Sequence, residues 1–248
     1  MADSAAYNRI LARLPKRELR LIDAQCSICS LKRGQWLAEA GSPLRHVYFP
    51  LTGVYSAFGA SDHRQVGIGP IGNEGFVGLP ALLDGGIGLF EVAVQVSGQA
   101  LRLDMSSFQR LASSQPCFQA RLQRYAQAFL SLSVQTAACN ALHTSEQRCA
   151  RWILMMHDRG AANQFPLSHE MLARLLGVRR PTVSLATAAL KASGVVQFRR
   201  GSVQIMSRRA LRAKACECYA VVEAEYRRLL GPESSPPGRP GPGERSAA

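Results

Sequence analysis

The sequence predicts an α+β chain: a sandwich or barrel of short strands, then a long helix, then a winged helix-turn-helix. Three observations carry this expectation. Between Leu31 and Leu103 the runs "HVYFP", "GVYSAF", "QVGIG", "EVAVQV" and "QALRL" are separated by Gly, Pro, Asp and Asn, as in a set of many short strands. After Pro116, "CFQARLQRYAQAFLSLSVQTAACNALHT" repeats apolar residues at three- and four-residue spacing. From Ser168, "SHEMLARLLGVRRPTVSLATAALKASGV" reads as two helices joined by a tight turn, followed by a hairpin, "VVQF", "RRGS", "VQI".

Composition narrows the class. A chain of 248 residues with 47% apolar content can fill two modest cores. No run approaches the ~18 apolar residues of a membrane span. The start, "MADSAAYNRILARLPKRELR", holds no uninterrupted apolar stretch, so a cytoplasmic chain without membrane association is expected. Seven cysteines, an odd number scattered from Cys26 to Cys218, read as reduced thiols. The net charge is +13, and Ser168–Lys214 holds ten Lys or Arg against one acid, Glu170. Such a basic concentration suits a polyanion, above all nucleic acid. A membrane surface would call for a basic amphipathic helix with bulky apolar anchors, which this segment lacks.

Along the chain, residues 7–25 read as helical, interrupted by Pro15. Val92, Val94 and Val96 alternate with Ala93 and Gln95, as in a half-buried strand. Ser106 or Ser107 is expected to cap a short helix around 108–112. The helix after Pro116 should cover ~24 residues and ~36 Å. Its apolar residues occupy more than one face, which suits either a core helix or, the reading favoured, a dimer seam. Thr144 to about Ser207 should hold three helices and two strands, the first helix marked by Cys149, Trp152, Ile153 and Met156. "RALRAKACECYAVVEAEYRRLL" closes the fold as one amphipathic helix. Residues 231–248, with five prolines and four glycines, are expected to be disordered. The expected divisions are 1–115, 116–143, 144–230 and 231–248.

The helix-turn-helix gives the sharpest site. Ser168 is a good N-cap, and Gly177 suits a left-handed residue after the helix end. Val178, Arg179 and Arg180 then lead to Pro181, at home in a first helical turn. Val183, Ala186, Ala189 and Leu190 form the buried stripe of a recognition helix over about 181–193. Arginine at its N-terminus can bond a guanine edge or hold a phosphate. Thr182, Ser184 and Thr187 are read as its solvent-side hydroxyls. Arg199 and Arg200 fall at the wing tip, placed for backbone phosphates.

The segments "RHVYFPLTGVYSAF", "GNEGFVGLP", "LQRYAQAF", "QTAACNALHTSEQRCARWIL", "LLGVRRPTVS", "GVVQFRRGSVQI" and "CECYAVVEAEYRRLL" resemble the Crp/Fnr superfamily of bacterial transcription regulators, up to about Leu230. The resemblance implies a jelly-roll-like double-stranded β-helix (the β-roll, a cyclic-nucleotide-binding-like effector domain), a dimerisation helix and a winged DNA-binding domain. It also implies a homodimer on a palindromic operator in double-stranded DNA, with RNA polymerase as a further partner. The "VRR" turn and the last segment resemble a subgroup of undefined effectors.

Departures from the family pattern shape the expectations. Cyclic-AMP-binding members neutralise the cyclic phosphate with an Arg-Ser or Arg-Thr pair. Here the matching stretch keeps Gly72, Gly75 and Gly78 with Glu74, but has no arginine from Gly78 to Val96. A buried phosphate would lack its charge partner, so cyclic AMP is not expected unless Arg64, Arg121 or Arg124 reaches the site. Oxygen-sensing members hold an iron–sulfur cluster on four cysteines. Cys26 and Cys29 are too few without a distant pair such as Cys117 or Cys139. Cys216 and Cys218, two apart on an expected helix, should point to opposite faces and not chelate together. His143 reads as an interface or capping residue rather than a haem ligand. Pro181 and Leu185 replace two of the usual base readers, and Arg180 keeps the third. No cofactor is expected and the effector is unidentified. Without a nucleophile elbow, a metal-ligand cluster or served carboxylates, an enzyme is not expected. The alternatives are a redox, iron–sulfur or other small-molecule sensor, or an interaction module that does not bind DNA.

Overall fold

Proline, which has no N–H and cannot sit inside a helix, sets the first boundary of the fold. In the computed structural model, which describes residues 8–61, 64–83, 86–160 and 162–231, the span expected as helical over 7–25 is two pieces. A 3₁₀ turn, Leu11–Arg13, stops before Pro15, and α1 (Lys16–Asp23) starts just after it.

Seven strands follow: β1 (Ser27–Leu31), β2 (Trp36–Ala38), β3 (His46–Pro50), β4 (Val54–Ser61), β5 (Arg64–Ile71), β6 (Glu91–Val96) and β7 (Gly98–Asp104). They form two antiparallel sheets, β1-β7-β3 and β2-β6-β4-β5. Strands β1 and β2 were not among the runs expected, because "SICSL" and "WLA" are short and partly exposed. Between Ile71 and β6 the chain forms a short helix, α2 (Pro80–Leu83). The β6 expectation needs correcting, since Ala93 and Gln95 are buried as well as Val92 and Val94. The second face is covered because the Gln95 amide donates to the Pro166 carbonyl (3.3 Å) in the C-terminal half.

Helix α3 spans Met105–Ser114, so Ser106 and Ser107 lie inside it instead of capping it. The chain turns from β7 straight into the helix, with the Met105 N–H donating to the Arg45 carbonyl. Helix α4 (Pro116–Leu142) has 27 residues, about 40 Å of helix. The buried Glu18 carboxylate of α1 accepts from the N–H groups of Cys117 (3.3 Å) and Phe118 (2.9 Å), where a helix start favours an anion. Phe49, Phe76, Phe108, Phe118 and Tyr125 then chain strand β3 to α3 and α4, with ring centroids 5.3–6.1 Å apart.

The C-terminal half starts with α5 (Ser145–Arg159), opened by a capping box between Thr144 and Gln147. It continues through β8 (Gln164–Pro166), α6 (His169–Leu176), α7 (Arg180–Ala192), β9 (Val196–Arg199) and β10 (Ser202–Ile205), the strands ordered β8-β10-β9. The single closing helix expected is two helices, α8 (Arg208–Lys214) and α9 (Cys218–Leu230). Ala215 is extended between them. This break lets Arg208 and Tyr219 both reach Asp158 of α5, at 2.6 and 2.8 Å, and each other at 2.8 Å. The tail expected over 231–248 lies outside the described residues except for Gly231.

The two halves pack closely. On β5 a Cβ at Gly67 would stand 2.7 Å from both the Leu175 carbonyl oxygen and the Trp152 ring, so only glycine allows α6 this close. Arg159 of α5 reaches across to Glu74, Nε to Oε1 2.6 Å, and both side chains are over nine-tenths buried. Burial works against the Arg159 charge, and the Glu74 carboxylate more than offsets it, holding the guanidinium above its ordinary value. Replacing one partner of such a pair strands the other charge in the core. Arg159→Met is therefore expected to lower the unfolding free energy by about 3–5 kcal/mol in urea denaturation. A loss below about 1 kcal/mol, as for an exposed pair, would show that water reaches Glu74.

Candidate functional site

The turn between α6 and α7 is built as its residue types require. The Ser168 hydroxyl accepts from the Met171 N–H at 3.1 Å. Gly177 ends α6 in the left-handed region (φ 63°, ψ 35°). Arg179 is extended, and α7 begins at Arg180, one residue earlier than expected, with Pro181 in its first turn. No side chain caps this start, and Pro181 removes one of the N–H groups that would need a cap. Val183, Ala186 and Leu190 are buried, while Arg179, Arg180, Pro181 and Ser184 are exposed and Thr182 is partly so. A helix N-terminus flanked by two exposed guanidinium groups attracts an anion through both the backbone dipole and the side chains.

Thr187 departs from its expected role. It is buried, not solvent-facing, and its hydroxyl donates to the Val183 carbonyl at 2.9 Å. Its position one turn after Val183 puts it on the core face, a periodicity the sequence already carried. The same hydroxyl lies 3.2 Å from His169 Nε2, and Ser184 Oγ lies 3.5 Å from His169 Nδ1. His169 also meets the Phe198 ring edge-on, centroids 5.5 Å apart. This histidine, absent from the expected site, connects the recognition helix to the wing. Its N-terminal place in α6 gave no signal of it.

The wing tip is a two-residue turn. Ser202 pairs with Arg199, leaving Arg200 (φ 45°) and Gly201 (φ 76°) as its corners. Two successive left-handed residues make a type I′ turn, whose twist matches the strands. Arg200 is the sole non-glycine with positive φ among the described residues, and it and Arg199 are exposed.

In the N-terminal half, a cavity of about 1150 Å³ opens between β5 and α4. Arg64, Phe90, Phe129 and Leu130 are among its walls, and Gly72, Glu74, Gly75, Gly78, Arg121 and Arg124 are not. Gly72 and Gly75 instead admit the Arg159 side chain and the Tyr125 ring, and Gly78 seats Val47. Glu74 is already engaged by Arg159 and by the Gly72 N–H (3.2 Å). Arg121 lies beside Arg124 and Arg13, and burial and these two cations lower its pKa.

Of the cysteines, Cys26 is buried at the end of α1, its thiol pushed up to about 12 by burial. Cys29 lies on β1 and donates to the Ala100 carbonyl at 3.5 Å. Cys117 is exposed, and His143 forms the C-cap of α4. Neither Cys26 nor Cys29 joins the one group of three or more metal-ligand atoms that the described residues bring together. That group is Cys139, His143, Cys216 and Cys218, which corrects the expectation for the last two. Cys216 lies in the break before α9, so the pair does not share a helix.

Residues 28–115 match the family model of the cyclic nucleotide-binding domain, and residues 147–214 match that of the Crp-like helix-turn-helix domain. No curated protein matches the sequence. Among solved structures, FixK2 from Bradyrhizobium japonicum is 19% identical with a TM-score of 0.65, the match covering 77% of this chain and 98% of FixK2. The c-di-GMP-responsive global regulator CLP from Xanthomonas campestris is 17% identical at TM-score 0.65, over 78% of this chain and all of CLP. A transcriptional regulator of the CRP/FNR family from Thermus thermophilus is 17% identical at TM-score 0.62, over 76% and 98%. At these identities the likeness to each structure is one of fold. No helix among the described residues is long and apolar enough to cross a membrane. The two domain models follow each other along the chain in the order found here, either side of α4, and the chain belongs to the Crp/Fnr superfamily of DNA-binding transcription regulators.

Proposed function

We propose that the chain acts as a homodimer joined along α4, that two copies of α7 read a palindromic operator, and that its effector is not cyclic AMP. The observation that carries this reading is the pair of exposed arginines, Arg179 and Arg180, at the uncapped start of α7, beside a wing tipped by Arg199 and Arg200. RNA polymerase is the partner, and the cytoplasm the compartment, that this function implies.

Arg180 is assigned to base readout and Arg200 to phosphate. Arg180→Ala should erase most discrimination between an operator and its mutated half-sites, about 1–3 kcal/mol per lost bidentate contact, while weak general binding persists. Arg200→Ala should weaken binding to all sequences alike and lower the slope of log affinity against log salt by about 1. Gel shifts at several salt concentrations separate the two, and full discrimination in Arg180→Ala would make Arg180 a phosphate contact.

The seam is supported by Leu130, Val134, Ala137 and Ala141, which are all exposed and repeat at intervals of four, three and four along α4. This spacing is that of a helix pair packed through one stripe. Because these side chains are exposed in the single chain, the double change Leu130→Glu with Val134→Glu should keep the fold. Light scattering should then report a monomer, and operator affinity should fall with the loss of the second half-site. A variant that stays dimeric would move the seam elsewhere.

Against cyclic AMP stands the engagement of Glu74 by Arg159, together with a cavity whose basic wall residue is the exposed Arg64. Millimolar cyclic AMP is expected to leave the melting temperature unchanged. A ligand at 100 times its dissociation constant would add about 2.7 kcal/mol, so a saturable rise that Arg64→Ala removes would establish a rearranged nucleotide site.

A further inference from the structure

Away from the DNA-reading face, three buried thiols and an imidazole converge where α4 ends and α9 begins. Cys139 stands in the last turn of α4, and His143 follows it by four residues, a spacing that sets both on one side of the helix. Cys216 lies in the break after α8, and Cys218 opens α9. One ligand atom from each of the four lies within 4.8 Å of all the others. Cys139 Sγ is 3.5 Å from Cys216 Sγ, and Cys218 Sγ is 3.4 Å from His143 Nδ1. A tetrahedral zinc ion with bonds of about 2.3 Å to sulfur and about 2.0 Å to nitrogen needs its ligands about 3.5–3.8 Å apart. Two of the separations are thus already close to those of a zinc site, and all of them fall within 4.8 Å.

The surroundings fit the same chemistry. His143 turns Nδ1 to the thiols and Nε2 to Glu217, 3.0 Å from Oε1, the carboxylate–histidine arrangement that orients a metal-bound imidazole. The Gln135 amide donates to Cys218 Sγ at 3.0 Å. Arg148 and Arg151 are buried close by, and neither forms an ion pair with a carboxylate among the described residues. Arg148 donates to Asn140 (2.7 Å), the residue after Cys139, and Arg151 to Thr136 (3.0 Å), three residues before it. Three thiolates and a neutral imidazole around Zn²⁺ carry one net negative charge, the counter-charge these buried guanidinium groups lack.

We propose that Cys139, His143, Cys216 and Cys218 form a closed Zn²⁺ site that fastens α9 to the junction of α4 and α5. Soft thiolate and imidazole donors select zinc over magnesium or calcium. Four protein ligands leave no position for substrate, so the site is structural. Binding requires the thiols to release their protons, so it strengthens with rising pH.

The test uses the full chain, purified with reductant and without chelator, then equilibrated with Zn²⁺ and freed of excess. Elemental analysis should find one zinc per chain. A strong chelator should remove it and lower the melting temperature, and added Zn²⁺ should restore both. Cys216→Ser should lose the ion. Glu217→Gln, altered at an exposed side chain and so safe for the fold, should weaken zinc by about 10–100-fold in competition with a chromogenic chelator. Failure of the reduced chain to take up zinc, or a stoichiometric ion that survives Cys216→Ser and keeps full affinity in Glu217→Gln, would overturn the proposal. So would a Cys139–Cys216 disulfide that, once reduced, still binds no zinc.

Discussion

Helix α4 has to satisfy neighbours on several sides at once, and the rest of the molecule is arranged around how it does so. Phe118, Leu122, Tyr125 and Phe129 sit in the aromatic core of the strand domain, while α9 lies along the helix from the other half. Its N-terminus takes a carboxylate from α1, and its C-terminus runs through His143 into the capping box of α5. The helix is 27 residues long, and two of its faces are buried against different partners, the strand domain on one side and α9 on another. The face left with exposed Leu130 and Val134 is the one for which the single chain supplies no cover.

Strand β5 bears a second constraint. Arg64, Val66, Gly67 and Ile68 contribute to the wall of the cavity. The same strand seats the DNA-reading half: Gly67 admits Leu175 and Trp152, Gly177 packs against Val66, and Arg174 donates to Gln65 at 3.1 Å. A ligand can shift an equilibrium only through contacts that differ between two states. On this strand a displaced backbone would be felt at α6 directly, without a longer route.

Local signals made much of this legible in advance. Pro15, Ser168, Gly177 and Pro181 act through their own backbone chemistry, so the breaks and caps they set could be read one residue at a time. The exposed arginines of the turn and wing were legible for the same reason. What could not be read depends on contacts between distant segments. Gln95 is buried because β8 arrives beside it, and Glu74 is committed to Arg159, 85 positions away. The break at Ala215 accompanies the convergence of Arg208 and Tyr219 on Asp158, and without that break Cys216 and Cys218 would have faced apart. Thr187 is a different case, since its spacing from Val183 already placed it on the core face.

The distribution of arginine shows why a count of charge is only a first step toward function. On α5, Arg148, Arg151 and Arg159 are buried, and each has a partner that fixes its role. Arg148 bonds Asn140 (2.7 Å) and the Leu176 carbonyl, Arg151 bonds Thr136 (3.0 Å), and Arg159 bonds Glu74. A buried guanidinium costs several kcal/mol, which these bonds offset only in part for Arg148 and Arg151, whose Nε atoms are buried without a partner. Arg179, Arg180, Arg199 and Arg200 have no such burial. Their charge faces water, and a basic group so placed can displace the counterions condensed on a polyanion, a favourable contribution to binding. The same side-chain type thus serves as a core tie on one helix and stands free to meet an anion two helices later. Solvent exposure, decided by the packing of α5 against its neighbours and by the uncapped start of α7, separates the two uses.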